Sequence, residues 1–232
     1  MEKGMEKIMD KKTVGIIHTT PATIASLTAL AGEVLGSSVK VVNILDDSIL
    51  PDMMAEHEVE FVRRRWIGYA QNLERLGVSA VLSACSTVGE FAEEADGLLK
   101  IPVFRIDEAM AERAVEMGAV VSVFATLRST LTPTVRLVEK KAKASGRGIK
   151  VNTVLVEGAY DALMRGDRET HDLKIRNTVS AYMADSDVIL LAQASMASAI
   201  TDACPGGEKI LTSPRLGMEK LQKILSGTGE GA

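Results

Sequence analysis

A thiol and two hydroxyls stand next to one another at Cys85, Ser86 and Thr87, directly after the apolar segment 78–84. The length and composition of that segment predict a buried β-strand. A thiol at the carboxyl end of a strand, against a helix N-terminus, is favoured as its thiolate, because unpaired N–H groups and the helix dipole stabilise negative charge. Cys85 is therefore a candidate base or nucleophile.

Cys85 has a second interpretation as a small core residue, because free cysteine is among the most buried residue types. A core cysteine would lie inside the apolar run, whereas Cys85 lies just past it, where open α/β sheets bind ligands. Thr87 and Glu90 have the T-x-x-E spacing of a capping box, which predicts a helix that starts here. Helical spacing predicts that its apolar residues are buried, namely Phe91, Ala92, Ala95, Leu98 and Leu99.

Composition indicates a globular protein that binds a small molecule. The 232 residues allow one large α/β domain or two lobes. A net charge of −4 and 3% aromatic residues argue against nucleic-acid binding, which needs basic surfaces and stacking side chains. Residues 1–12 are charged, and no apolar run approaches about 18 residues, so neither secretion nor a membrane span is expected. Cys85 and Cys204 are too few for a disulfide framework, and a reducing cytoplasm is the predicted location.

Apolar segments of strand length alternate with helical segments along the whole chain, which predicts parallel sheets, because parallel neighbours need crossover connections. Strands are predicted at 13–18, 39–45, 78–84, 101–104, 119–125, 150–156, 187–192 and 209–212. Helices are predicted from Thr19 to Gly36, over 53–76, over 108–117 and from Arg215, with a surface connection over 141–148. The long helix over 53–76 carries Trp66 and three arginines, more surface than one lobe needs, which predicts a homodimer.

The two halves of the chain align at an offset of 108 residues. His18 then pairs with Thr126 and Cys85 with Gln193. This pattern predicts an α/β fold with two similar lobes, each a four-stranded parallel sheet flanked by helices, related by a pseudo-twofold axis. The lobes are expected over residues 1–106 and 107–214, with a C-terminal helix over 215–232 that packs back on the first lobe. The cleft between the lobes is the expected ligand site.

Small polar residues follow the matched strands of both halves and should meet in this cleft. Each hydroxyl taken singly is more typical of a helix cap. Together, hydroxyls and helix N-terminal N–H groups suit the oxygens of a carboxylate, so a small carboxylate is the predicted ligand. The predicted binding residues are Thr19, Ser86 and Thr87 from the first half, with Thr126, Ser129, Thr130, Gln193, Ala194 and Ser195 from the second.

These features resemble the aspartate/glutamate racemase superfamily, which includes hydantoin racemases, maleate isomerases and arylmalonate decarboxylases. The resemblance extends from Val14-Gly15-Ile16-Ile17 to Pro214 and rests on the duplicated lobes and the strand-Cys-Ser-Thr turn. It implies cofactor-independent chemistry, with no metal, in which one cysteine from each lobe acts on opposite faces of a small carboxylate. One thiolate removes a proton from carbon and the other thiol delivers one from the far side.

The sequence keeps the first cysteine as Cys85 and departs from this pattern at the second, where Gln193 or the adjoining Ala194 stands. An amide does not exchange a proton at neutral pH, so a symmetrical two-thiol racemase is not expected. Cys204 is predicted to lie in a turn at the far end from the cleft. His18, at the end of the first strand, could supply the missing base, although a histidine there is more often a structural hydrogen-bonding group.

Three functions follow from this departure. The first is a racemase or isomerase that acts on a small carboxylic acid through the single thiolate of Cys85, including covalent addition to a double bond that then rotates. The second is a one-base decarboxylase or lyase of the same superfamily. The third is a non-catalytic protein that binds a small acid and has lost the second thiol.

Overall fold

The computed structural model describes residues 12–55, 59–200 and 206–227. Within these residues the chain forms two four-stranded sheets, in which every strand pairs with its neighbours in parallel. The strands of the first sheet are β1 (Thr13–His18), β2 (Lys40–Leu45), β3 (Ala80–Ser83) and β4 (Val103–Arg105). Those of the second sheet are β5 (Val120–Ala125), β6 (Lys150–Leu155), β7 (Val188–Leu191) and β8 (Ile210–Thr212). The predicted fold class is confirmed.

The strand order is the same in both sheets, namely β2-β1-β3-β4 and β6-β5-β7-β8. The helices of the first half are α1 (Ile24–Leu35), α2 (Ile49–Met54), α3 (Val59–Arg75) and α4 (Gly89–Asp96). Those that follow are α5 (Glu108–Met117), α6 (Arg128–Ala144), α7 (Ala159–Met164), α8 (Arg168–Tyr182) and α9 (Ser213–Ser226). The described residues also form 3-10 turns at Pro21–Thr23, Ser86–Val88, Ala194–Ala199 and Gly207–Lys209.

The long helix predicted over 53–76 is wrong at its start. Met53 and Met54 end the separate short helix α2, and α3 begins at Val59. Within the predicted range, Trp66 is fully buried on α3, whereas Leu76 is 71% exposed because it lies beyond the end of the helix. The surface connection predicted over 141–148 is also partly wrong, because α6 continues to Ala144.

Each sheet is covered on both faces, as parallel sheets require. In the first lobe, Ile17 and Val81 face one apolar cluster with α3 and α4, and Ile16 and Leu82 face another with α1 and α9. The second lobe repeats this arrangement with one cluster against α5 and α6 and another against α7 and α8. The strand ends are thereby held at one edge of each sheet.

Strand pairing refines the internal repeat. Ala80 pairs with Val14 in the first sheet, and Val188, 108 residues after Ala80, pairs with Val121 in the second. The third strands therefore keep the offset of 108, whereas the first strands are offset by 107. The predicted pairing of His18 with Thr126 is thus wrong by one residue. The segment between the first and third strands is one residue longer in the second lobe than in the first. Thr126 is equivalent to Thr19.

The last helix packs against the first lobe. Met218, Leu221 and Leu225 of α9 belong to the same apolar cluster as Leu27 of α1 and Ile16 of β1. The position of α9 after the second sheet therefore does not decide which sheet it covers.

Candidate active site

A cavity of about 220 Å³ lies between the two lobes, at the carboxyl ends of β1, β3 and β7. Its polar wall comes from the segments that follow these strands. Of the site residues predicted from the sequence, it brings together Thr19, Cys85, Ser86, Thr87, Thr130, Gln193, Ala194 and Ser195. The cavity is thus built from both halves of the repeat.

Cys85 and Gln193 occupy equivalent backbone positions. Each follows the third strand of its sheet, has an extended conformation (φ −129°, ψ 119° and φ −115°, ψ 135°) and precedes a 3-10 turn. Cys85 is half-buried and its thiol is free. A thiol on one side of the cavity therefore has a primary amide as its counterpart on the other side.

The amide of Gln193 is oriented by the second lobe. Its Oε1 accepts hydrogen bonds from the backbone N of Thr126 (2.6 Å) and from Thr126 Oγ1 (2.8 Å). The Nε2 group of the same amide has no acceptor among the described residues, so it is available to donate a hydrogen bond to a ligand. Gln193 is thereby set up as a hydrogen-bond donor.

Hydroxyl groups tie the lobes together beside Cys85. Ser86 Oγ donates to the carbonyl oxygen of Ala192 across the cleft (2.8 Å), so its proton is already used. Thr87 Oγ1 lies 3.0 Å from Thr130 Oγ1, again across the cleft. The capping box predicted from Thr87 is therefore wrong, because this hydroxyl bonds the other lobe and α4 begins at Gly89 with no side-chain cap. The predicted burial of Leu98 is also wrong, since it lies past α4 and is 61% exposed.

Other hydroxyls of the wall remain free. Thr19 and Ser195 line the cavity, and no side-chain hydrogen bond ties up either hydroxyl within the described residues. Together with the Nε2 group of Gln193, they give three hydrogen-bond donors that a carboxylate can use.

His18 does not line the cavity. It is fully buried behind the wall, where its Nδ1 lies 2.8 Å from Thr23 Oγ1 and its Nε2 lies 2.9 Å from Asn43 Oδ1. Because Asn43 Oδ1 is an acceptor, Nε2 carries the proton and Nδ1 accepts from Thr23. Burial lowers the pKa of His18 below its ordinary value, against the opposing effect of the Asn43 hydrogen bond. This environment holds a neutral imidazole that orients Thr23, which is itself a wall residue.

Thr126 and Ser129 line a second cavity of about 520 Å³, together with Leu127, Arg128, Thr132 and the α2 residues Met53 and Met54. The single cleft expected from the sequence is thus divided into two cavities, with Leu50 and Pro51 of α2 facing the first cavity and its last residues facing the second. Of the nine predicted binding residues, these two lie away from Cys85.

The first cavity also has apolar wall residues that were not predicted. They are Leu50 and Pro51 of α2 and Leu163 and Met164 of α7. The two helices are equivalent short segments of six residues, one after the second strand of each sheet. Residues 49–54 and 159–164 are matched at an offset of 110 residues. Extending the internal repeat to this offset is the sequence signal that would have paired α7 with α2.

The charges at this cavity are few. Its ionisable residues, among those described, are Asp47, Cys85 and Tyr160, and no lysine, arginine or histidine lines it. Burial raises the pKa of Tyr160, and the charge of Asp161 adds to that effect. No group of three or more His, Cys, Asp or Glu residues that could hold a metal ion occurs in the described ranges. In the same ranges, no helix is long and apolar enough to cross a membrane.

A buried arginine supports the Cys85 turn from behind. Arg105 ends β4 with its side chain 1% exposed, and its Nε and Nη2 donate to the buried carboxylate of Asp107 at 2.6 and 2.9 Å. Its Nη2 also contacts the carbonyl oxygens of Ser86 in the first lobe and Pro133 in the second, both at 3.4 Å. Burial acts to lower the pKa of Arg105, but the charge and hydrogen bonds of Asp107 raise it above its ordinary value.

Two equivalent four-stranded lobes that enclose a thiol-bearing cavity define the structural class of this chain. Solved structures share that architecture. The glutamate racemase of Francisella tularensis in complex with D-glutamate has a TM-score of 0.72 at 16% identity, over 95% of this chain and 83% of that one. The aspartate racemase of Picrophilus torridus has a TM-score of 0.71 at 16% identity, over 93% of this chain and 94% of that one. The allantoin racemase of Klebsiella pneumoniae has a TM-score of 0.70 at 14% identity, over 94% of this chain and 89% of that one.

The family model described as Asp/Glu/Hydantoin racemase matches residues 14–210. The chain therefore belongs to the Asp/Glu/hydantoin racemase family, and it is an enzyme of the isomerase class. No curated protein sequence matches it significantly. The resemblance seen in the sequence is confirmed at the level of the family, and the reaction and substrate have to be argued from the cavity.

Proposed function

We propose that this protein is a cofactor-independent racemase or isomerase that acts on a small carboxylic acid through the thiolate of Cys85. The observation that carries the proposal is the position of Cys85 in the interlobe cavity, with the donor amide of Gln193 at the equivalent point of the other lobe. A carboxylate between them is reached by the Nε2 of Gln193 and by the free hydroxyls of Thr19 and Ser195.

Proton transfer from carbon needs only the thiolate and these donors. Cys85 takes the proton from the carbon next to the carboxylate, so that the C–H bond breaks and an S–H bond forms. The electron pair of that bond delocalises into the carboxylate, and the N–H of Gln193 stabilises the added negative charge. Return of a proton to carbon restores the acid. For racemisation, water supplies that proton on the face opposite Cys85, because the amide does not. The resulting hydroxide takes the proton held on Cys85, which re-forms water and the thiolate.

An unsaturated acid allows a second course on the same residues. The thiolate adds to one carbon of the double bond, and the other carbon becomes a stabilised carbanion next to the carboxylate. The former double bond is then single and rotates. Expulsion of the thiolate re-forms the double bond in the other geometry. No atom is gained or lost, and no second base is required.

The amide at position 193 also favours a second candidate, a one-base decarboxylase or lyase. Such an enzyme needs a proton donor or acceptor on one face only, which matches a site with a thiol on one side and an amide on the other. The two candidates differ in the fate of the carbon-bound proton and of the carboxylate.

Incubation with candidate acids in deuterated water tests both. Exchange with inversion, or interconversion of double-bond isomers, supports the racemase or isomerase. Exchange with retention, or release of carbon dioxide, supports the one-base enzyme. Saturable binding without exchange or turnover contradicts both and leaves a non-catalytic acid-binding protein.

The variant Cys85→Ser should retain the fold and lose at least about 10²-fold in activity, because a hydroxyl has the size of a thiol but not its acidity. Cys204→Ser is the matched control, at a cysteine outside the described residues, and should keep the activity of the parent. Rates are compared by proton exchange, and the fold by circular dichroism. Unchanged activity in Cys85→Ser would show that Cys85 is a structural residue and not a catalytic one.

A further inference from the structure

We propose that the cavity selects an acid with a single carboxylate and an apolar substituent, and that it discriminates against dicarboxylates. This inference rests on the proposed function, since it concerns the substrate of the same site. Its two supports are the charges at the wall and the position of the apolar residues, which are independent of Cys85.

The first support is the absence of a cation where a second carboxylate would need one. Among the described residues, no lysine, arginine or histidine lines the cavity. A cation close by, Arg168, reaches only the carbonyl oxygen of Ser195 (3.4 Å) and Ser198 Oγ (2.9 Å), and does not line the cavity. Another, Arg65, is paired with Asp46 and Asp52 at 2.9 Å each. A second carboxylate would thus lose its hydration without gaining a charged partner.

The second carboxylate would also meet a negative charge. Asp47 lines the cavity from the loop after β2 and forms no hydrogen bond or ion pair with the described residues. Its neighbour Asp46, in contrast, bonds Ser48, Tyr69 and Arg65. Burial acts to raise the pKa of Asp46, but these partners lower it below its ordinary value. An unpaired carboxylate at this rim repels a dianion.

The second support is a group of apolar residues in the cavity wall, contributed by the two short helices. Leu50 and Pro51 on α2 and Leu163 and Met164 on α7 line the cavity from both lobes. Met164 is 53% exposed, and its apolar surface is stabilised when a hydrocarbon group covers it. A ligand with a carboxylate at Thr19, Gln193 and Ser195 therefore directs its substituent towards a surface that favours carbon over charge.

Protection of Cys85 from iodoacetamide measures this preference on the intact protein, even for acids that bind at millimolar concentration. The matched probes are 2-methylbutanoate and 2-methylsuccinate, in which a terminal methyl group is replaced by a carboxylate. Alkylation of the Cys85 peptide is followed by mass spectrometry against acid concentration. We expect half-protection by the monoacid at a concentration at least tenfold below that for the diacid.

The variant Asp47→Arg should reduce this preference at least tenfold, because it replaces the repelling charge with a partner for the second carboxylate. Glu139→Arg makes the same change of charge on α6, at a residue that does not line the cavity, and should leave the preference unchanged. Equal or tighter protection of the parent by the diacid overturns the inference, as does protection by neither acid at about 100 mM. Failure of the proposed function would appear separately, as the absence of both exchange in deuterated water and double-bond isomerisation, with the protection pattern intact.

Discussion

Gln193 occupies in the second lobe the backbone position that Cys85 occupies in the first, and the two side chains differ in what they can do with a proton. A thiol gives up and regains a proton near neutral pH, whereas an amide only donates hydrogen bonds. The oxygen of Gln193 is held by two hydrogen bonds from Thr126, so its orientation is fixed before a ligand arrives. The two faces of a bound acid therefore meet different chemistry.

The variant Gln193→Cys should gain or strengthen racemisation of a chiral carboxylate, because it adds a proton-transfer group on the second face. Loss of the two Thr126 bonds should lower stability by about 1–3 kcal/mol. The double variant Cys85→Ser with Gln193→Cys should reverse the face of any one-base reaction. Chiral chromatography of the product after reaction in deuterated water measures both effects.

Ala194→Cys is the control for Gln193→Cys, because it places the thiol one residue further along the same turn. It should give less inversion than Gln193→Cys. If Gln193→Cys changed neither inversion nor stereochemistry while Ala194→Cys did, the assignment of position 193 as the counterpart of Cys85 would fail.

Single residues were predictable from the sequence where their chemistry depends on a strand end. Cys85 and Gln193 were located this way, because the third strands of both lobes have the same offset. His18 is itself the last residue of β1, but Asn43 and Thr23 use both of its ring nitrogens behind the wall. No pattern in the sequence indicates on which side of a strand end an imidazole lies, since that depends on the neighbouring strand β2.

Among the elements, the end of β4 connects the two lobes through Arg105. Its guanidinium contacts carbonyl oxygens of Ser86 and Pro133, one from each lobe, while Asp107 balances its charge. Gly89 permits this approach, because a Cβ there would lie 2.3 Å from the Arg105 Cζ. The turn that carries Cys85 is thus held to α6 of the other lobe.

The variant Arg105→Met should lower the free energy of unfolding by about 3–5 kcal/mol, because it leaves the buried carboxylate of Asp107 without its partner. The double variant Arg105→Met with Asp107→Leu should recover a substantial part of that loss. Arg113→Met is the control, since its exposed ion pair with Glu116 contributes about 1 kcal/mol or less. Urea denaturation measures all four proteins, and a loss below about 1 kcal/mol in Arg105→Met would contradict a clamp between the lobes.

Elements were predictable where apolar residues dominate. The eight strands lie within about two residues of their predicted bounds, and α5 has the predicted ends. Helices α2 and α7 were missed because six-residue helices are too short to show a period. Helix α8, over Arg168–Tyr182, was missed because it is mostly polar, with buried residues at only three positions. The apolar residues of the cavity wall lie on α2 and α7 and were therefore not predicted, although they carry the proposed preference for an apolar substituent.

At the scale of the whole molecule, the duplication was predictable but its consequence for the cleft was not. An offset of 108 indicated two lobes that face each other, so Thr19 and Thr126 were both expected beside Cys85. They are equivalent residues, yet they line different cavities. Helix α2 contributes to both cavities. It packs on α3 and buries Ile49 in the core of the first lobe, and its six residues are too few to show this position in the sequence.

Association into a homodimer stays a prediction, and fewer side chains on α3 are available for it than the sequence suggested. Trp66 is fully buried, Arg63 is paired with Glu60 and Glu94, and Arg65 is paired as well. The outer face of α3 retains Phe61, which is 48% exposed. We predict a dimer by light scattering at micromolar concentration, because association would cover this apolar side chain.

The variant Phe61→Glu should then be monomeric, because it puts a charge into the proposed contact. Leu173→Glu, at a 49% exposed position on α8, is its control and should remain a dimer. A monomer mass for the parent protein by light scattering at micromolar concentration would contradict the prediction.

The packing of α9 against the first lobe also has a consequence for biosynthesis. Leu27 of α1 and Ile16 of β1 share an apolar layer with Met218, Leu221 and Leu225, which are synthesised after the strands of the second lobe. While the ribosome is still translating the second lobe, the first lobe has that face open to water and to chaperones. Emergence of α9 from the ribosome covers that face, so a ribosome stalled before residue 213 would hold a nascent chain whose first lobe lacks one side of its core.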